Sequence, residues 1–165
     1  MKTAIVYYSL TGNTEWVTEK IAESLSADRV RLIPQKVYPD KGLKKFLWGG
    51  KSAMMGETPA LEAYAFDLSA YDLIILGTPV WASTFAPPIR TFLQDNKEQL
   101  LGKRLAVVTC YSGGGADKAI AKMLKFLDRD AFDAQLILID PKDKADEKNE
   151  QKIRDFCQAL QKESF

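Results

Sequence analysis

Short apolar runs rich in β-branched residues alternate with amphipathic stretches along the whole chain, and this alternation restricts the fold more than any other feature of the sequence. Thr3–Tyr8 reads TAIVYY, a buried strand. Asn13–Ser26 follows, with Val17, Ile21 and Leu25 on one helix face. Arg29–Ile33 is a second strand, stopped by Pro34. The third strand begins at Asp72, contains Leu73–Leu76 (LIIL) and ends at Gly77. Pro87-Pro88 then opens a helix facing Ile89, Phe92 and Leu93 inward, since proline fits a first turn. Leu105–Thr109 and Leu136–Ile139 are the last strands. Each precedes a helix, marked by Ile120, Met123, Leu124 and Leu127 and by Ile153, Phe156, Cys157 and Leu160. Five strands separated by helical or connecting segments predict an α/β fold: three layers, a doubly wound five-stranded parallel sheet covered on both faces. The irregular part is 34–71, with a helix expected around Leu43–Trp48 and a loop over Gly49–Ala60.

The 165 residues predict one domain over 1–165. With 23 basic and 22 acidic residues the net charge is +1, which gives no reason to expect nucleic acid or an anionic membrane as partner. No window has the length of a membrane span, and Met1-Lys2-Thr3 enters a strand without a signal-peptide core. Cys110 and Cys157 are too few and too far apart for a disulfide framework or a metal cluster, so a cytoplasmic setting is expected. The chain has no histidine. Ser-His-Asp and Cys-His catalysis and imidazole metal sites are therefore excluded, and chemistry must come from a cofactor or from other side chains.

Ligands of open parallel sheets sit beyond the carboxyl ends of the strands. The loop after the first strand, Ser9-Leu10-Thr11-Gly12-Asn13-Thr14, has three hydroxyls, an amide and no charge. It leads into a helix whose first N–H groups attract an anion. One N-cap would need a single such residue, and this loop has four, which favours a phosphate. It lacks both the GxxxxGK[ST] and the GxGxxG patterns, against a Walker-type nucleotide site and a dinucleotide fold. After the third strand, Thr78-Pro79-Val80-Trp81-Ala82-Ser83-Thr84-Phe85 carries an indole that either stacks on a flat ligand or covers the core under its own loop. After the fourth, Cys110-Tyr111-Ser112-Gly113-Gly114-Gly115 has three glycines, which form either a loose turn or, as their entropic cost suggests, a close approach of a ligand to the main chain, with Tyr111 as a second flat ring. Cys110 itself is expected to be a buried strand-end thiol.

Together these loops resemble the flavodoxin-like family, in order along nearly the whole chain. Ser9–Thr14 is similar to the family's FMN phosphate loop, Thr78–Trp81 to the loop whose tryptophan covers one face of the flavin, and Tyr111–Gly115 to the loop on its other side. The resemblance implies strand order 2-1-3-4-5, non-covalent FMN held by Ser9–Thr14, Thr78–Ala82 and Cys110–Gly115, and no catalytic side chain or metal. The uninterrupted last strand resembles the short form of the family. Two features depart from it: the carriers are usually strongly acidic, and Ala82 stands where many have glycine. Ala86-Pro87-Pro88-Ile89-Arg90 is closer to the flavodoxin-like quinone reductases.

Three functions follow as expectations. The first is an electron carrier, a monomer or weak dimer, serving redox partner proteins or a small-molecule electron acceptor. The second is an FMN-dependent NAD(P)H:quinone-type oxidoreductase. The third is a non-redox flavodoxin-like binding module. The ring loops hold no acidic residue, which predicts a less negative flavin potential than in acidic carriers. Lys44-Lys45-Phe46-Leu47-Trp48, with Met54-Met55, reads either as a partner-docking patch or flap beside the flavin or as a short helix; the helix is expected, with Phe46, Leu47 and Trp48 packed on the sheet and the lysines solvated.

Overall fold

The computed structural model describes residues 1–39, 42–144 and 146–162, with the backbone alone over 42–46. In chain order the elements are β1 (Thr3–Tyr7), α1 (Asn13–Leu25), β2 (Asp28–Arg31), α2 (Gly42–Met54), β3 (Leu73–Trp81), β4 (Thr84–Phe85), α3 (Pro87–Leu100), β5 (Arg104–Tyr111), α4 (Ala116–Leu127), β6 (Ala134–Ile139) and α5 (Glu147–Lys162). A 3-10 turn at Leu68–Ala70 precedes β3. Five strands pair in parallel in the order β2-β1-β3-β5-β6, and β4 pairs antiparallel with the end of β3. This is the expected doubly wound arrangement.

Successive residues of a strand point to opposite faces, so continuous apolar runs serve two cores. Ile5, Leu73, Ile75, Ala106, Val108 and Leu138 face α1 and α5, meeting Val17, Ile21, Ile153 and Phe156. Val6, Ile74, Leu76, Leu105 and Val107 face the other way, toward Ile89, Phe92 and Leu93 of α3 and Met123 of α4. α3 opens on Pro87 and Pro88 as expected, after an extended Ala86. Gly77 in β3 lets α1 lie close against the sheet. A Cβ there would stand 2.8 Å from Tyr7 Cβ and 3.0 Å from Thr18 Cγ2. The start of α1 is thereby fixed at the carboxyl rim of the sheet, beside the crossover between β1 and β3.

Three expectations are corrected. The helix expected over 43–48 runs through Gly49 and Gly50 to Met54. Each glycine costs a helix about 1 kcal/mol relative to alanine, but both lie against the β3–β4 hairpin. A Cβ on Gly49 would stand 3.2–3.4 Å from three atoms of the Trp81 benzo ring, and one on Gly50 3.7 Å from Ala82 Cβ. Second, 78–85 is a hairpin and not a loop: β3 continues to Trp81 and turns through Ala82 and Ser83, both at positive φ (49° and 56°). A two-residue turn with both residues left-handed matches the twist of a hairpin. Third, Leu47 and Trp48 do not pack on the sheet; they are 69% and 53% exposed. The side chains of Lys44, Lys45 and Phe46 lie outside the described residues.

Candidate functional site

The carboxyl ends of β1, β3, β5 and β6 enclose a cavity of about 300 Å³. From the first loop it takes Ser9, Leu10, Thr11, Asn13 and Thr14. The hairpin supplies Pro79, Val80, Trp81 and Ala82, and the end of β5 with its glycine turn supplies Cys110, Tyr111, Ser112, Gly113 and Gly114. The three segments singled out in the sequence thus meet around one space.

Three of their residues stand behind the wall. Gly12 is the left-handed cap of α1, and its N–H donates to Ser9 Oγ (3.1 Å). Thr78 is fully buried; its hydroxyl accepts from the Ala86 N–H (3.0 Å) and donates to the Pro79 carbonyl (2.9 Å), which fixes the entry to α3. Gly115 caps α4 and presses on Ser83.

At the start of α1 the first-turn N–H groups have no intrahelical acceptors. The Thr14 hydroxyl beside them is buried at 1% exposure and makes no hydrogen bond of ordinary geometry. A buried hydroxyl without a partner costs about 1–3 kcal/mol. An anion in the cavity would relieve that cost and satisfy the helix donors together.

The Trp81 indole is fixed on several sides. Gly49 lies over its benzo ring, and Tyr8 and Tyr38 meet it edge-on at centroid distances of 5.6 and 5.4 Å. Both arrangements suit the aromatic quadrupole. The ring is only partly buried and lines the cavity. Tyr111 lines another part of the wall, followed by Gly113 and Gly114, where an added Cβ would meet nothing within 4 Å.

Sequence reasoning missed three lining residues: Gly50, Ser83 and Asp140. The two ring loops hold no acidic residue, as read, but Asp140 brings a carboxylate to the wall from outside them. It accepts a hydrogen bond from the Ser112 hydroxyl and pairs with Lys144 at 2.9 Å. Its position follows from the sheet: Ile139 is in register with Tyr111, so the next residues of the two strands are neighbours at the rim. With a carboxylate in the wall, the reason for expecting a mild flavin potential lapses.

Cys110 is a buried strand-end thiol, as expected, at 4% exposure. Burial pushes it up to about 12, against the smaller opposing influence of the Thr14 hydroxyl. The folded chain therefore keeps a proton that the unfolded chain releases near the ordinary thiol value of about 8.5. Stability is fully present below that pH and falls as pH rises toward the folded value, at up to about 1.4 kcal/mol per unit. Cys157, also raised by burial, adds to the decline, and Tyr38, pushed up to about 12, adds to it above pH 10. Urea midpoints at several pH values should fall from about pH 8.5 upward, with a shallower fall in Cys110→Ala. A flat profile to pH 10 would contradict the burial assigned to this thiol.

Among the described residues no helix is long and apolar enough to cross a membrane, and no group of His, Cys, Asp or Glu could hold a metal ion.

Comparison with known proteins agrees with this layout. The family model described as Flavodoxin matches residues 2–149. Among solved structures, a flavoprotein from Lactobacillus acidophilus NCFM, determined in complex with FMN, is 22% identical, with a TM-score of 0.69, over 86% of this chain and 95% of that one. A Bacteroides eggerthii protein provisionally described as a flavoprotein is 19% identical, with a TM-score of 0.75, over 95% and 96%. Oxidised flavodoxin 2 from Bacillus cereus is 21% identical, with a TM-score of 0.63, over 99% of both chains. At these identities the likeness is one of fold.

Proposed function

The chain belongs to the flavodoxin family, and from that premise we propose that its rim cavity holds FMN non-covalently and that the protein carries electrons between redox partners. The observation that carries the cofactor is the Thr14 hydroxyl, buried without a hydrogen bond of ordinary geometry, on a residue of the first turn of α1 that lines the cavity. A phosphate accepts from that hydroxyl, from the free N–H groups of the turn and from Thr11. Trp81 gives the tricycle a flat apolar wall, and the backbone around Gly113 and Gly114 lies where N–H groups reach a ring edge. When bound, FMN supplies one- and two-electron redox chemistry. The residues of this chain bind and orient it, exclude water from one side, and set its potential through the Asp140–Lys144 pair.

The second reading is an FMN-dependent NAD(P)H:quinone-type reductase, which would use the open space beside Gly113 and Gly114 for a nicotinamide or quinone. Anaerobic stopped-flow mixing of the FMN-loaded protein with NADPH, and separately with NADH, distinguishes them. The carrier reading expects no bleaching of the flavin band within seconds, although dithionite reduces it fully. Fast bleaching by either nucleotide would replace the carrier with the reductase.

A further inference from the structure

Helix α2 is folded with its apolar side outward. A surface helix ordinarily turns its large apolar residues to the core and its small or polar ones to water. Here Gly49, Ser52 and Ala53 are buried, whereas Leu47, Trp48 and Met54 are exposed. Lys51 is exposed with them, and Met55, just past the helix, continues the same face; the two methionines are 74% and 69% exposed. Positions 47, 48, 51, 54 and 55 recur at spacings of three and four, so they form one stripe. The helix has 13 residues and carries Lys44, Lys45 and Lys51 with no acidic residue. Lys51 forms no ion pair among the described residues. The first carboxylate after the helix, Glu57, pairs with Lys36 at 3.0 Å and feels Lys51 only more weakly. At the same end the half-buried Arg90 guanidinium lies 4.4 Å from the centroid of the Phe85 ring and 3.8 Å from where a Cβ on Gly56 would stand. It too forms no ion pair among the described residues.

Large apolar residues exposed side by side mark a surface that another molecule covers. The first clue to that molecule is position. The inner side of α2 borders the site: Gly49 packs on the Trp81 ring, and Gly50 lines the cavity. A partner on the stripe is therefore about one helix diameter, roughly 10 Å, from the cavity. The stripe is about 20 Å long, enough for the small and transient encounters of redox proteins. Charge is the second clue. Two copies of this chain meeting face to face would set these lysines against themselves. A lipid surface takes lysines at the edge of an apolar face, whereas Lys51 stands in the middle of this one. Trp, Met and Arg are residue types enriched where proteins meet, and a cationic face selects carboxylates opposite it. We infer that the outer face of α2 docks an acidic electron-transfer protein, with Trp48 and the methionines as the apolar centre and Lys51 and Arg90 supplying the field that draws it in. The inference rests on the carrier reading above and adds the place and sign of its docking surface.

The test mixes the FMN-loaded protein, under anaerobic stopped flow, with a reduced acidic plant-type [2Fe–2S] ferredoxin as the probe. Each reduced cluster gives up one electron, and the flavin takes two, with protons from solvent. Wild type, Lys51→Glu and Trp48→Ser are measured at about 20 mM and about 300 mM salt, on either side of strong screening. The wild-type second-order rate should fall about tenfold or more at the higher salt. Lys51→Glu should slow the reaction about threefold to tenfold at low salt and flatten its salt dependence. Trp48→Ser should slow it about fivefold at both salts, through lost apolar contact. FMN affinity and reduction by dithionite, which needs no docking face, should change little in either variant. Rates indifferent to salt and to both variants would overturn the proposal and leave the FMN and carrier readings intact. Full reduction by dithionite with none by the ferredoxin would also overturn it. Binding to phosphatidylserine vesicles that Trp48→Ser abolishes would replace the protein partner with an anionic lipid surface. A dimer in sedimentation that Trp48→Ser dissolves would replace it with a second copy. Fast bleaching by NADPH would remove the carrier reading, and a chain that loads no FMN would remove the cofactor reading, each taking this inference with it.

Discussion

Replacing Gly115 by alanine should lower folding stability by about 2–5 kcal/mol and loosen the flavin site with it, combining left-handed strain of about 1–2 kcal/mol with overpacking of about 1–3 kcal/mol. Gly115 sits at φ 85° as the cap of α4. A Cβ there would overlap Ser83 Oγ and stand 2.9 Å from Ser83 Cβ and 3.0 Å from Ser83 Cα. The hydroxyl can rotate away, but the Cα cannot. The contact joins the β3–β4 hairpin to the glycine turn after β5, two sides of one cavity. Relief of the overlap must therefore come from separating those sides. Urea unfolding of the apoprotein reads the stability, and flavin titration reads the site. The double variant Ser83→Gly with Gly115→Ala should recover part of the loss. It removes the offending Cβ, and it also removes the cost of a serine at positive φ. An unfolding midpoint unchanged in Gly115→Ala would contradict the packing described.

Trp81→Ala should weaken FMN tenfold to a hundredfold, about 1–3 kcal/mol by the scale of aromatic stacking on a flat heterocycle. Trp81→Phe should keep most of the binding, since a flat apolar wall remains. The same indole carries edge-on contacts to Tyr8 and Tyr38, each worth about 0.5–1.5 kcal/mol, so Trp81→Ala should also lower the stability of the apoprotein. The two effects separate by experiment. A fold defect lowers the melting temperature without flavin, whereas loss of the wall lowers the additional rise that flavin produces. Wild-type affinity in Trp81→Ala would remove the indole from the site.

What the sequence made legible was what local chemistry decides. Apolar runs with helical stretches between them can be buried only as strands covered on both sides, and the two cores built from Ile5 and Val6, or Ile75 and Leu76, are that pattern realised. The first loop was equally plain, because Ser9, Thr11, Asn13 and Thr14 exceed the needs of one helix cap. What stayed hidden depended on partners distant in sequence. Gly49 and Gly50 read as a loop, yet they lie in a helix that packs on the β3–β4 hairpin, tightly at Gly49 against the Trp81 ring and at ordinary contact distance at Gly50 from Ala82. Val80 and Trp81 read as loop residues, yet they extend a strand by pairing with Phe85 and Thr84. Asp140 comes to the site only through the strand order, which sets the end of β6 beside the end of β5. Its signal was available once that order was expected: in a parallel sheet, the residues just past neighbouring strands share one rim.

The central claim is that the ends of β1, β3, β5 and β6 form a site for FMN. It is tested most directly by titrating the apoprotein with FMN while recording the visible spectrum and the melting temperature. The account predicts a saturable one-to-one change in the flavin bands. It also predicts a melting temperature raised by about 5–10 °C at a hundredfold excess over the dissociation constant, where ligand linkage contributes about 2.7 kcal/mol. Flavin bands identical to those of free FMN, together with an unmoved melting temperature, would contradict it.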